Sequence, residues 1–214
     1  MEIHKYSSLA IDCLKAAKEL PKQSVFSYVN KNSLGEKYFK LAKKYVKTPY
    51  IYIILSATGS PFGNMIAVAT GEEYNHASFS FDENLETLIA YNGGNGISNP
   101  GLNHEKIEYF HQKPDAKIAV YKMKADIKQK KKMLEEIKKI DEEGSSYNIA
   151  RIVMKKSFAP NIKVCAQFVY ELLESVNLNY FKANPQDVLP IDFVKKNKDN
   201  ILEFCYEEFL KNLI

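Results

Sequence analysis

The sequence predicts an α+β domain. Helical periodicity occupies the N-terminal fifth and much of the C-terminal half, while short β-rich runs separated by turn signals lie between. A hairpin signal in "HASFSFDENLETLIAYNGG" makes the small sheet mostly antiparallel, and the helix that follows residue 161 has an apolar stripe to lay on it.

Taken in order, residues 1–48 carry two helical patterns and are expected to form an N-terminal helical extension, with the main domain at 49–214. Leu9, Cys13, Ala16 or Ala17, and Leu20 share one face before Pro21; Leu34, Tyr38, Leu41 and Tyr45 share another. "TPYIYIILSATGSPFGN" reads as a buried strand from Tyr50 to about Ser56, then a Ser/Thr/Gly loop and a short helix opened by Pro61 and ended by "TGEEYN". The two halves of the hairpin flank "DENLE", and the glycines at 93, 94 and 96, with Asn99 and Pro100, close the unit. "DAKIAVYKMK" is a further strand. "ADIKQKKKMLEEIKKIDEEG" is a helix whose Ile127, Met133 or Leu134, Ile137 and Ile140 face inward and whose lysines form a solvated face. A second helix is expected from about Tyr147 to Lys156, and "SFAPN" leads into the helix that carries Cys165; the segment after "NPQDVLPIDF" reads equally as helix or strand.

At 214 residues the chain can bury a core without disulfides or metal. Lys plus Arg exceeds Asp plus Glu by four, and the excess is spread along the chain, which argues against a nucleic-acid partner. Three cysteines without CxxC or Cys/His spacing argue against a disulfide framework and a zinc site, and no cofactor or metal is expected. The first twenty residues lack the uninterrupted apolar core of a secretory signal, and "YIYIILSA" is too short to span a bilayer, so a cytoplasmic protein with no stable membrane insertion is expected.

The chemistry centres on "NIKVCAQFVYELLES". Cys165 shares a stripe with Phe168 or Val169 and Leu172, and the plainer reading is an inert core thiol. Its position near a helix start, marked by Pro160 and Asn161, is also where free N–H groups and the helix dipole favour a thiolate. A thiolate hydrolase needs a base and a group to orient it. Of four histidines, His4 lies near the terminus and His104 and His111 in a polar, loop-like stretch, whereas His76 opens a strand. If residues 82–86 form the hairpin loop, Phe81 pairs with Thr87 and His76 stands opposite Asn92, with Ser78 and Ser80 on the same face and Ala77, Phe79 and Phe81 on the other. Asn92 could then orient the ring; a one-residue slip would substitute Tyr91, and a turn role before Gly93 suits Asn92 equally well. Ser56, Thr58 and Tyr147 are candidates for the wall of a substrate cleft, with loop and cap roles as the alternative.

"IILSATGSPFGNMIAVATGEEYNHASFSFDENLETLIAYN", "EEGSSYN", "VCAQFVYELLES" and "NPQDVLPIDF" together resemble the circularly permuted papain-like cysteine hydrolases of the NlpC superfamily. The resemblance is to the bacterial YiiX- and YycO-like proteins and, more distantly, to lecithin:retinol acyltransferase. It spans about residues 50–195, with Ala166 where serine is usual. It implies a papain-like core in which Cys165 is the nucleophile, His76 shuttles the proton and a polar residue on the adjoining strand orients the imidazole.

The leading expectation is therefore a thiol amidase or peptidase, or a thioesterase or acyltransferase, acting on a small peptide, a murein fragment or an acyl substrate. The alternative is a non-catalytic binding domain that retains the hydrolase fold. A lipid-modifying role at a membrane surface has less behind it, since no strongly basic amphipathic helix with bulky aromatics stands out.

Overall fold

A computed structural model describes residues 27–58, 71–94, 98–110, 115–148 and 159–212. The pattern with Cys13, the helix opened by Pro61, His4 and His111 lie outside them.

Six strands form one antiparallel sheet: β1 (Tyr50–Ala57), β2 (His76–Ser80), β3 (Ile89–Asn92), β4 (Gly101–His104), β5 (Lys117–Lys124) and β8 (Glu203–Phe209). Their order across the sheet is β4-β3-β2-β1-β5-β8. A separate parallel pair joins β6 (Ser146–Tyr147) to β7 (Ile162–Lys163). Among the described residues the α-helices are α1 (Gly35–Tyr45), α2 (Ile127–Glu143), α3 (Cys165–Glu174) and the short α4 (Asp192–Lys195). The result is an α+β architecture with a mostly antiparallel sheet.

Alternation along the strands divides the sheet into two faces. Ile51, Ile53, Leu55, Ala77, Phe79, Ile89, Tyr91 and Leu102 point toward the helices and join Tyr38 and Ala42 of α1, Met133 and Ile137 of α2, and Phe168, Val169 and Leu172 of α3 in the main core. Tyr52, Ile54, Leu88, Ile118 and Val120 point the other way, into a smaller cluster closed by Leu85 and Leu210. The hairpin has the expected register, since Phe79 pairs with Ile89. Its turn is held by Asp82, whose carboxylate accepts from the backbone N–H of Glu86 (3.0 Å) and Thr87 (2.9 Å) and from the Thr87 hydroxyl (2.6 Å).

The second N-terminal helix does not stand apart. Leu34, Tyr38, Ala42 and Val46 are buried in the main core, and Asp141 of α2 accepts from the Leu34 N–H at the start of α1 (3.1 Å). A boundary at residue 48 therefore cuts through one continuous core. Other expectations shift for local reasons. Ile127 is solvent-exposed in the first turn of α2, and Lys130, from the lysine run, is buried in its place. Its ammonium reaches the carbonyls of Thr48 (3.2 Å), Tyr50 (2.5 Å) and Phe81 (3.2 Å) and the Thr48 hydroxyl (2.7 Å). Tyr147, expected to open a helix, lies in β6, and the ambiguous tail is the edge strand β8.

Candidate active site

Pro160 and Asn161 lead into β7 rather than directly into a helix, so α3 begins at Cys165 itself. Val164 is extended, with φ −106° and ψ 167°, and offers no side-chain cap. The backbone N–H groups of the first turn are consequently left to other acceptors. Those of Ala166 and, from β2, Ala77 are directed at the Cys165 sulfur. Helix α3 packs on β2 and β3, which brings the thiol into a hydrogen bond with the side chain of His76, the first residue of β2.

The other side of the imidazole meets a carboxylate that sequence reasoning did not single out. His76 Nε2 lies 3.0 Å from Glu105 Oε1 and 3.2 Å from Oε2. Ser78 Oγ donates to Oε2 (2.7 Å), and Asn92 Nδ2 donates to Oε1 (2.8 Å). Because an ionised carboxylate can only accept, Nε2 carries the proton in this pair, and Nδ1 is the ring nitrogen left to exchange a proton with the sulfur. Cys165, His76 and Glu105 are 3%, 9% and 5% exposed, so these contacts act with little screening by water.

Electrostatics and geometry agree. Burial pulls the His76 ring toward neutrality, but the negative charge of Glu105 and of the Cys165 thiolate outweighs it and holds the pKa well above the usual histidine value. Burial works against the Glu105 carboxylate, and His76 with the Ser78 and Asn92 donors brings its pKa below the ordinary range. Burial likewise raises the Cys165 thiol, and His76 with the two backbone N–H groups brings it below an ordinary cysteine. Each of the three shifts runs toward the charged form: thiolate, imidazolium and carboxylate. Cys205 differs: burial dominates there and raises its pKa.

The predicted residues thus fall into place unevenly. Cys165 and His76 meet. Asn92 was expected to orient the ring, but its amide is engaged elsewhere: Nδ2 on Glu105, and Oδ1 accepting from Asn103 Nδ2 (2.9 Å) and from the Gly94 N–H (3.1 Å). Glu105 is the carboxylate that bonds the ring. Ser56 pairs with His76 across β1 and β2, and its buried hydroxyl has no hydrogen-bond partner among the described residues. Thr58 bonds through N–H and hydroxyl to Asn75 Oδ1 (3.3 and 3.2 Å), one residue before His76. Tyr147 pairs with Lys163, two residues before Cys165, and its side chain is buried in the main core. His104 takes no part in the trio; its Nε2 bonds the Glu86 carbonyl (2.9 Å).

Glu105 escaped notice because β4 escaped notice. "GLNH" holds one apolar residue, Leu102, after a glycine-rich loop, and so reads as loop. The available signal was the alternation itself: Leu102 pairs with Tyr91, which puts positions 101, 103 and 105 on the opposite face, the one that carries His76. Among the described residues no group of three or more His, Cys, Asp or Glu is arranged to hold a metal ion, and no helix is long and apolar enough to cross a membrane. Compared with protein-family models, curated proteins and solved structures, the chain matches none.

Proposed function

We propose that this protein is a thiol hydrolase of the permuted papain-like type, acting on the carbonyl of an amide, ester or thioester in a small peptide, murein fragment or acyl substrate. The observation that carries the proposal is the chain of contacts from Cys165 Sγ through the His76 ring to Glu105, buried at the start of a helix. Nucleophile, base and orienting group are then in hydrogen-bond contact in one line.

In this reading the Cys165 thiolate attacks the carbonyl carbon, forming a C–S bond while the carbonyl π electrons move to oxygen. The backbone N–H of Cys165, at the helix start, is the simplest donor for that oxyanion. The His76 imidazolium gives its Nδ1 proton to the leaving nitrogen, oxygen or sulfur, and an acyl-enzyme remains. Water or another acceptor then loses a proton to Nδ1, attacks the thioester and releases the thiolate. Glu105 holds the ring in the required tautomer and stabilises its charged form.

One observation favours the alternative of a binding domain that keeps the fold: Cys165 is only 3% exposed. Iodoacetamide labelling at neutral pH separates the two. A hydrolase labels at Cys165 far faster than at Cys205 or Cys13, and Cys165→Ala abolishes turnover of a panel of peptide, ester and thioester substrates. Equal slow labelling of all three cysteines overturns the hydrolase reading.

A further inference from the structure

The Glu105 carboxylate is the end of a longer hydrogen-bonded line. Asn92 Nδ2 donates to Glu105 Oε1 (2.8 Å), Asn103 Nδ2 donates to Asn92 Oδ1 (2.9 Å), and Asn30 Nδ2 donates to Asn103 Oδ1 (3.1 Å). Three amides in series run from the segment before α1, through β4 and β3, to the carboxylate.

Backbone groups fix the direction of every link. An asparagine amide can in principle be turned over, exchanging donor for acceptor. Here the Gly94 N–H, which can only donate, meets Asn92 Oδ1 (3.1 Å) and forces Nδ2 toward Glu105. The carbonyls of Asn99 (2.9 Å) and Gly101 (3.1 Å), which can only accept, fix Asn103 Nδ2. The Leu102 carbonyl (2.8 Å) fixes Asn30 Nδ2 in the same way. Asn30 and Asn103 are buried, so water does not compete for these groups.

We propose that Asn103, with Asn30 behind it, is a positioning residue that acts through Asn92 to keep a hydrogen-bond donor on Glu105 and the carboxylate ionised beside His76. The proposal rests on the thiol-hydrolase reading of Cys165, His76 and Glu105. The groups acting on Glu105 are His76 and Ser78 from β2 and Asn92 from β3, of which His76 alone is a charged partner. Among the described residues the amide line is therefore one of two neutral supports of the carboxylate, and it extends beyond β3 to β4 and the segment before α1. Loss of Asn103 leaves Asn92 with a half-filled acceptor and a weaker hold on its donor geometry. A carboxylate less favoured as an anion stabilises the imidazolium less, and the thiolate with it.

The test is the pH dependence of Cys165 alkylation by iodoacetamide in the full chain, with melting temperature measured alongside. Asn103→Ala is expected to raise the inflection of the rate by about 0.5–1 pH unit, a three- to tenfold slower reaction below it, in line with one hydrogen bond to a charged group. Asn30→Ala raises it by less. Asn99→Ala, which cuts the contact from Asn99 Nδ2 to the Val29 carbonyl (3.0 Å) in the same region, leaves it in place. If Asn103→Ala does not fold, Asn103→Asp preserves the shape, presents an oxygen to the Asn92 carbonyl, and is expected to shift the inflection upward too. An inflection that stays low as in the parent protein in every Asn103 and Asn30 variant, whatever the melting temperature does, overturns the relay and leaves the hydrolase reading intact. A parent protein whose Cys165 titrates as an ordinary thiol overturns both.

Discussion

His76 Nε2 and Glu105 Oε1 are 3.0 Å apart although one residue opens β2, the other follows β4, and β3 runs between them. Neighbouring strands are spaced by about 4.8 Å, so the gap is roughly two strand widths, and the glutamate and histidine side chains close it together, each reaching part of the way over β3. Glu105→Gln keeps the shape and removes the charge. Turnover by Cys165 is expected to fall about 10–100-fold, the worth of a hydrogen bond to a charged group. The pH profile supplies the sign. Since the Cys165 pKa is lowered and that of His76 is raised, the ion pair forms as pH rises through the first and is lost as pH rises through the second. Removing the anion lowers His76, so the alkaline limb of the bell moves to lower pH in Glu105→Gln. A profile that only falls in height contradicts this assignment of Glu105.

The crossing requires a small residue on β3. Ala90 pairs with Asn103 of β4, and continuing the Phe79 to Ile89 register places it opposite Ser78, on the face the Glu105 side chain traverses. It is fully buried. Ala90→Leu is expected to cost about 1–3 kcal/mol of stability through overpacking and to push the carboxylate off the ring. Chemical denaturation and Cys165 labelling check it together; a destabilised variant with unchanged labelling rate refutes the claim that Ala90 is the passage.

Much of this was legible in the sequence, and what was not has a physical cause. The hairpin register could be read because Ala77 and Phe79 face the core while Ser78 and Ser80 do not, and a slip would invert both sets. Cys165 and His76 could be singled out because Pro160 and Asn161 before the one, and "TGEEYN" before the other, mark the start of a new element. Glu105 could not, since its role depends on a four-residue edge strand that pairs through backbone and buries one large apolar side chain. Nor could Tyr147, whose two-residue strand is defined by a parallel partner sixteen residues on. Lys130 shows a related limit: helical spacing from Ile127, Met133, Leu134 and Ile137 puts it on the inward stripe, but only the carbonyls of Thr48, Tyr50 and Phe81, brought together by the fold, show what a buried ammonium meets there.

That lysine predicts a large effect from a surface-looking position. The carbonyls of Thr48, Tyr50 and Phe81 converge on its ammonium, and Lys130→Met removes their common donor while roughly keeping the volume. Buried acceptors left without a partner cost about 1–3 kcal/mol. The variant is expected to lose at least that much in urea unfolding, whereas Lys131→Met, at an exposed position, changes stability by less than about 0.5 kcal/mol. Similar losses for both would return Lys130 to the solvated face.

Gly101 joins the candidate site to the N-terminal segment by a close approach. It has φ +144°, and a Cβ there would lie 2.6 Å from Ser145 Oγ and 2.9 Å from Asn30 Cβ. Neither neighbour can yield freely: the Ser145 hydroxyl accepts from the Leu102 N–H (2.9 Å), and Asn30 is held by backbone bonds to Ser145. Gly101→Ala must therefore move β4 away from residues 27–30 or strain both, at about 1–3 kcal/mol. Because Glu105 follows directly on β4, the displacement also reaches the His76 ring. Gly101→Ala is expected to lower both melting temperature and Cys165 labelling rate, whereas Gly35→Ala, at φ +69° with open space around its Cβ, lowers stability alone. Equal labelling in the two variants would mean that β4 can shift without disturbing Glu105, and the coupling between this strand and the thiol would then have to run through β3.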